Sequence, residues 1–378
     1  LEKEQTRMIF NSESSDRQIA YFISPHGYGH AARSSAVMEA LHDLDPTVRF
    51  EIFTQVPRWF FEESLHRPFG YHSLLTDIGL VQKSPLVEDL PETVRRLDQL
   101  LPFEAPQLKD LAELVNQLGC QLILCDIAPM GIAVGKEAAL PSVLVENFTW
   151  DWIYEEYAKY DARLGRYITY LEALFNAADF RIQVEPVCQR LDADLTTLPV
   201  SRKIRSPRQQ IRHELGIPDW AKAVMITLGG IPWKYTFLEQ QASQSSAYFI
   251  IPGGTDEQKQ IRDNLVLLPH HSDFFHPDLV NASDAVVGKA GYSTVAEVYY
   301  AGVPFGYIHR PKFRESQFLT GYAEQHMNGL RISEAQFQNG DWLSTIEELL
   351  ALPRIGHRDA RGAQQVARFL FEVLDGRD

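Results

Sequence analysis

Short apolar runs alternate with longer amphipathic stretches along most of the chain. Ile19–Ile23, Val48–Thr54, Leu122–Cys125, Ser142–Val145 and Phe180–Val184 read as buried strands. Between them, segments such as Pro106–Leu118 and Met130–Ala139 carry apolar residues at helical spacing. The same grammar restarts after about residue 220, with Val224–Leu228, Tyr248–Ile251, Leu265–Leu268, Ala285–Val287 and Phe305–Ile308 as strands and helices in the gaps. Alternation of this kind predicts parallel α/β sheets, here in two doubly wound, Rossmann-like domains that face a cleft. Ligands of such sheets bind at the carboxyl ends of the strands, so candidate chemistry is sought there.

The boundaries follow from composition. Residues 1–16 are polar, lack the apolar core of a signal peptide and read as a disordered tail. Residues 17–200 form the first domain and residues 201–357 the second. The join falls in Leu195–Lys222, whose basic run Ser201–Arg208 reads as a solvated linker in preference to a nucleic-acid site. Residues 358–378 form a closing helix with Val366, Phe369, Leu370, Val373 and Leu374 on one face. One course for it crosses back to the first domain.

A chain of 378 residues accommodates two domains, each large enough for its own core. Its 36 basic and 50 acidic side chains give a formal charge of −14, which argues against binding nucleic acid or anionic lipid through the overall field. Three cysteines with no C-x-x-C pair give no disulfide framework and fit a reduced, cytoplasmic setting. No apolar run is long enough to span a membrane.

The first strand runs into Ser24-Pro-His-Gly-Tyr-Gly-His-Ala-Ala-Arg33 and then a helix. Gly27 and Gly29 permit a tight turn and a close backbone approach, and the helix start offers free amides. His30 stands at this opening. Its imidazole suits a general base, and the alternative is a capping residue. His26 either shares the site or braces the turn. Arg33 either holds an anionic group or makes a surface ion pair. The spacing is not G-x-G-x-x-G, which counts against a nicotinamide cofactor. Asp126 ends the strand Leu122–Cys125 on the same edge, either as the carboxylate that orients His30 or as an N-cap for the next helix.

In the second half, Gly229 and Gly230 follow the strand Val224–Leu228. The stretch Gly288–Pro304 follows another strand and opens a helix, with Lys289, Gly291, Tyr292, Ser293 and Thr294 at its start. Free amides there make an anion site. Glu297 suits a ribose diol or, with Thr294, a capping box. Glu315 and Gln317 are placed either to hold sugar hydroxyls or to start a helix. Asn147, Trp150 and Asp151, within Asn147–Tyr154, either shape the acceptor side or pack in the core. Asp192 and Asp194 mimic a metal-binding D-x-D but read as a surface loop.

Gly288–Pro304 with Arg314–Gln317, together with the loop His26–His30, resembles the GT-B glycosyltransferases. These include the N-acetylglucosaminyl transferase of peptidoglycan synthesis. A closer resemblance is to the glycosyltransferase-like half of plant arabinokinases and its stand-alone bacterial relatives. It is carried by Gly27–Arg33, Asp126–Pro129, Glu146–Tyr154 and Gly288–Glu297 and covers about residues 19–350. The resemblance does not extend to the sugar-kinase half. Lys289 stands in the donor loop where many relatives have an uncharged residue, and His26 replaces one position of a longer glycine-rich loop.

The resemblance implies a GT-B glycosyltransferase of the hexosyltransferase type. His30 would be its base and Asp126 the base's partner. The donor, a nucleotide-sugar such as a UDP-sugar, would be gripped by Gly229, Gly230, Lys289, Gly291, Tyr292, Ser293, Thr294, Glu297, Glu315 and Gln317. The acceptor hydroxyl would dock near His26, Gly27, Gly29, Arg33, Asn147, Trp150 and Asp151. Direct displacement with one base implies inversion, with no metal and no cofactor beyond the co-substrate. Two other readings share the fold: a nucleotide-sugar 2-epimerase, and a non-catalytic nucleotide-sugar-binding protein.

Overall fold

A computed structural model describes residues 17–84, 87–229, 246–356 and 361–376. The expected tail at 1–16 and the donor-site candidate Gly230 lie outside the described residues.

Two seven-stranded sheets form the body of the chain. In the first, the order is Gly70–Ser73, Val48–Thr54, Arg17–Ile23, Cys120–Asp126, Ser142–Glu146, Phe180–Val184, Leu195–Thr197, all parallel. In the second, it is Gln260–Arg262, Leu265–Leu268, Tyr248–Pro252, Ala223–Thr227, Ala285–Lys289, Phe305–Ile308, Gly329–Ile332. Only the edge pair Gln260–Arg262 with Leu265–Leu268 is antiparallel. The apolar runs take the central positions, because a parallel strand covered by helices on both faces buries every side chain. Ile19, Leu122 and Val143 of the first sheet and Val224, Phe249 and Val286 of the second have no exposed surface.

The strands that periodicity does not reveal are peripheral. Gly70–Ser73, Leu195–Thr197, Gln260–Arg262 and Gly329–Ile332 are three or four residues long and half exposed. They lack a continuous apolar run because only one face and one edge of each is covered.

The basic run is a correction to the linker reading. Leu195–Thr197 is a strand of the first sheet, and the arginines that follow are structural. Arg202 and Arg212 are buried, paired with Glu297 at 3.0 Å and Asp284 at 3.2 Å. Arg208 joins Asp284 at 2.8 Å, and the Arg205 guanidinium donates to the carbonyls of Glu63 and Ser64 in the first domain. These side chains fasten the junction to both domains.

The last helix, Gly362–Leu374, packs on the first helix, Tyr28–Leu44, and on the strand Leu195–Thr197. Arg17 at the start of the first strand pairs with Asp375 and lies over the Phe371 ring at 4.8 Å. Gln365 accepts from the Leu198 amide at 3.0 Å. The helix Gly362–Leu374 thus packs on the domain that holds the strand Arg17–Ile23.

Candidate active site

Both glycine loops leave their sheets where neighbouring connections run in opposite directions. In the first sheet this point lies between Arg17–Ile23 and Cys120–Asp126, with Ile23 in register with Asp126. In the second it lies between Ala223–Thr227 and Ala285–Lys289, with Thr227 in register with Gly288. Diverging connections leave a crevice at each point. The two crevices face each other: a Cβ added at Gly29 would stand 3.7 Å from Ser293 Oγ.

On the first wall, Gly27 starts the helix Tyr28–Leu44 at φ 76°, a conformation that a side chain would strain. His30 lies one turn in. Its Nδ1 is 2.8 Å from Asp126 Oδ1, and Nε2 makes no hydrogen bond among the described residues. Phe148 and Trp150 pack around the ring at centroid distances of 6.1 and 6.4 Å, leaving 8% of the residue exposed. Burial lowers the His30 pKa below its ordinary value; Asp126 opposes the shift and Arg33 adds to it. The capping alternatives fall away. The helix cap is Gly27, without a side-chain bond, and Ala128, not Asp126, precedes the helix Pro129–Ala138.

Asp126 is fully buried. Besides His30 it accepts from Arg33 Nε at 2.7 Å, Arg33 Nη2 at 2.6 Å and Ser34 Oγ at 3.3 Å. Burial alone would raise its pKa, but Arg33 and His30 outweigh it and hold the carboxyl below the ordinary range. The next residue, Ile127, has φ 41°, a left-handed conformation that a β-branched residue adopts only under strain. That kink turns the chain sharply just after the carboxylate.

Arg33 is neither a surface residue nor a free anion ligand. It is 1% exposed and spent on the two Asp126 oxygens, Asn147 Oδ1 at 2.7 Å and the Tyr292 ring at 4.6 Å. Asn147 in turn donates to Glu315 Oε1 at 2.8 Å. A buried polar chain therefore crosses from one domain to the other.

The second wall borders a cleft with about 740 Å³ of empty space. Gly229, at φ 75°, and Ser293, Thr294 and Glu297 line it. Gly291 caps the helix Tyr292–Ala301, so Thr294 and Glu297 do not form a capping box. Glu297 Oε1 pairs with Arg202, and its Oε2 meets His276 Nδ1 at 2.5 Å. Burial acts to raise the Glu297 pKa, yet Arg202 and His276 hold it below the usual range. Lys289 ends its strand with Nζ 3.8 Å from a Cβ built at Gly229. Burial, helped by Arg310, lowers its pKa to about 8. Among the described residues its ammonium has no ion pair.

The remaining expected residues separate. Tyr292 is buried, with its hydroxyl taken by the Val200 amide and the Glu185 carbonyl, so it supports the loop and does not face the cleft. Gln317 is exposed at the start of the helix Ser316–His326. His26 packs over Gly79 and edge-on to Trp150 at 5.0 Å; burial, with His30 and Lys289 adding, lowers its pKa to about 3, so it is neutral. Trp150 belongs to the core cluster of the first domain, and Asp151 makes no hydrogen bond to His30 or Asp126. Asp192 and Asp194 are exposed.

Sequence reasoning missed Arg202 and the segment His270–His276, which line the cleft opposite Tyr28 and Trp59. Trp59 stacks on His271 at 4.5 Å. That segment follows the strand Leu265–Leu268, so the strand-end rule points to it. Asp77 was also missed: it accepts from Ser24 Oγ at 3.0 Å, and burial raises its pKa to about 8. No periodic signal surrounds it.

The chain matches no protein-family model. It is 27% identical over 367 residues to L-arabinokinase of Arabidopsis thaliana, covering 95% of this chain and 34% of that protein. The chain thus spans about a third of the length of that relative. An uncharacterized glycosyltransferase of Methanopyrus kandleri is 23% identical over 277 residues, 69% of this chain and 78% of its own length. A solved structure of the glycotransferase of kitacinnamycin superposes with a TM-score of 0.63 at 16% identity, covering 96% of this chain and 100% of that one. Facing sheets, parallel but for one edge pair, and these likenesses show a chain with the GT-B fold, homologous to L-arabinokinase and to an uncharacterized glycosyltransferase.

Proposed function

We propose that this protein is a metal-independent, inverting glycosyltransferase that moves a sugar from a nucleoside-diphosphate sugar to a hydroxyl acceptor, with His30 as general base. The observation that carries the reading is His30 Nδ1 at 2.8 Å from the buried Asp126, on a loop whose Gly29 faces Ser293 of the opposing helix start.

The second domain holds the donor. Amides of Gly291–Thr294 and the helix dipole meet the diphosphate, and Lys289 adds a positive charge. Glu297, fixed by Arg202 and His276, keeps lone pairs for the ribose diol. The aromatic end of the cleft, with Trp59, Phe274 and His270, suits a planar base such as uracil. Glu315 holds a sugar hydroxyl. The acceptor hydroxyl approaches from the first domain and gives its proton to His30 Nε2. Its oxygen bonds to the anomeric carbon as the bond from that carbon to the phosphate oxygen breaks. The nucleoside diphosphate leaves with the electron pair. One displacement from the opposite face inverts the anomeric centre. Backbone amides and Lys289 supply the stabilisation of the leaving group, which is why the reading asks for no metal. Buried, unpaired Cys120, Cys125 and Cys188 suit a reduced, cytoplasmic setting.

The test uses a panel of nucleoside-diphosphate sugars with thermal shift and nucleotide release as readouts. His30→Ala is expected to keep donor binding and to lose about 10²–10⁴-fold in turnover. Full turnover in His30→Ala overturns the base. Donor stabilisation without transfer to any acceptor favours a binding protein, and a sugar epimerised without an acceptor favours the epimerase.

A further inference from the structure

Asp126 has more partners than an orienting carboxylate needs. Arg33 clamps it with a fork, Nε on Oδ2 at 2.7 Å and Nη2 on Oδ1 at 2.6 Å. The same Nη2 lies 3.3 Å from His30 Nδ1. Arg33 is itself held by Asn147 and by the Tyr292 ring of the other domain. Carboxylate and guanidinium are both buried, so their charges cancel in place.

Two consequences follow. An ionised carboxylate only accepts, so the 2.8 Å contact with Asp126 puts the hydrogen on Nδ1 and the lone pair on Nε2. Arg33 Nη2, 3.3 Å from Nδ1, is then a neighbouring cation and not a hydrogen-bond donor to the ring. A second proton on the ring would also be an uncompensated buried charge beside a cation. Without the arginine, the carboxylate alone would favour the imidazolium, and less of the ring would be neutral and able to act as a base near neutral pH.

We propose that Arg33 is the positioning residue that keeps His30 neutral and protonated on Nδ1, leaving Nε2 free to accept a proton. This rests on the reading of His30 as the base. The other groups around the ring do not take over this role. His26, on the preceding loop, is neutral, and Phe148 and Trp150 carry no charge. Lys289 and Arg310 act on His26 from the far wall, and Tyr292 stays beneath Arg33. Asn147 ties Arg33 to Glu315, so the state of the base depends on a contact that exists only while the domains are together.

The experiment follows the His30 ring in the full chain by ¹⁵N NMR, assigned with His30→Ala, alongside the pH profile of sugar transfer. Arg33→Gln is expected to raise the ring's titration midpoint by about one pH unit or more. The acid limb of the transfer profile should move up by the same amount, so that activity lost near neutrality returns at alkaline pH. A merely structural role would lower activity at every pH. Arg33→Lys keeps the charge and loses the fork, and is expected to shift the midpoint in the same direction by less. It carries the test if Arg33→Gln does not fold. An unchanged midpoint, or a wild-type ring protonated on Nε2, overturns the proposal. A shifted midpoint in a protein that transfers no sugar leaves Arg33's role standing and removes the base reading; transfer with an unshifted midpoint does the reverse.

Discussion

Lys289 lies beside two glycine turns, where an anion would feel its protonation directly. Burial and Arg310 bring its pKa down to about 8. The cation is present below that value and is lost as pH rises through it. Affinity for a nucleoside diphosphate such as UDP should therefore hold up to about pH 8 and then fall, approaching tenfold per pH unit. Lys289→Met should bind more weakly and without this step. Isothermal titration across the range checks both. Residue identity made His30 and Asp126 legible, because strand-end histidines and carboxylates stand out in a linear sequence. Arg33 was noticed for its place on the helix, yet its burial and its partners were not legible there. Arg202 looked like linker charge, and only its contact with Glu297 shows otherwise.

At the scale of the element, the helix Pro129–Ala138 shows how packing sets the site. A Cβ at Gly131 would lie 2.6 Å from Cys125 Sγ and 2.8 Å from Phe22 Cβ. Those two strands end at Ile23 and Asp126, beside His30. Gly131→Ala should push the helix off the sheet and cost about 1–3 kcal/mol, read from denaturant unfolding. Central strands and long helices were legible because each repeats its period several times. The short edge strands were not, since three or four half-covered residues give no period to count.

The whole molecule is closed by its last helix. Leu370 has no exposed surface and belongs to a core cluster shared with the first helix. Leu370→Ala should cost about 2–5 kcal/mol in urea unfolding, a loss felt in the first domain although the residue lies at the other end of the chain. Arg202 and Arg205 join the domains, and the hydrogen bond from Asn147 to Glu315 joins them at a second place. The facing of the two glycine loops is therefore maintained by side chains on both sides of the junction.

Sequence by itself determined the two α/β units and pointed to the strand ends and to His30 as a candidate, because periodicity and loop composition are local properties. Only the tertiary structure decided the partners. Arg33 meets Asp126 across 93 positions and Arg202 meets Glu297 across 95. Burial, which turns a surface charge into a fixed one, depends on everything packed around it, and no linear spacing records that.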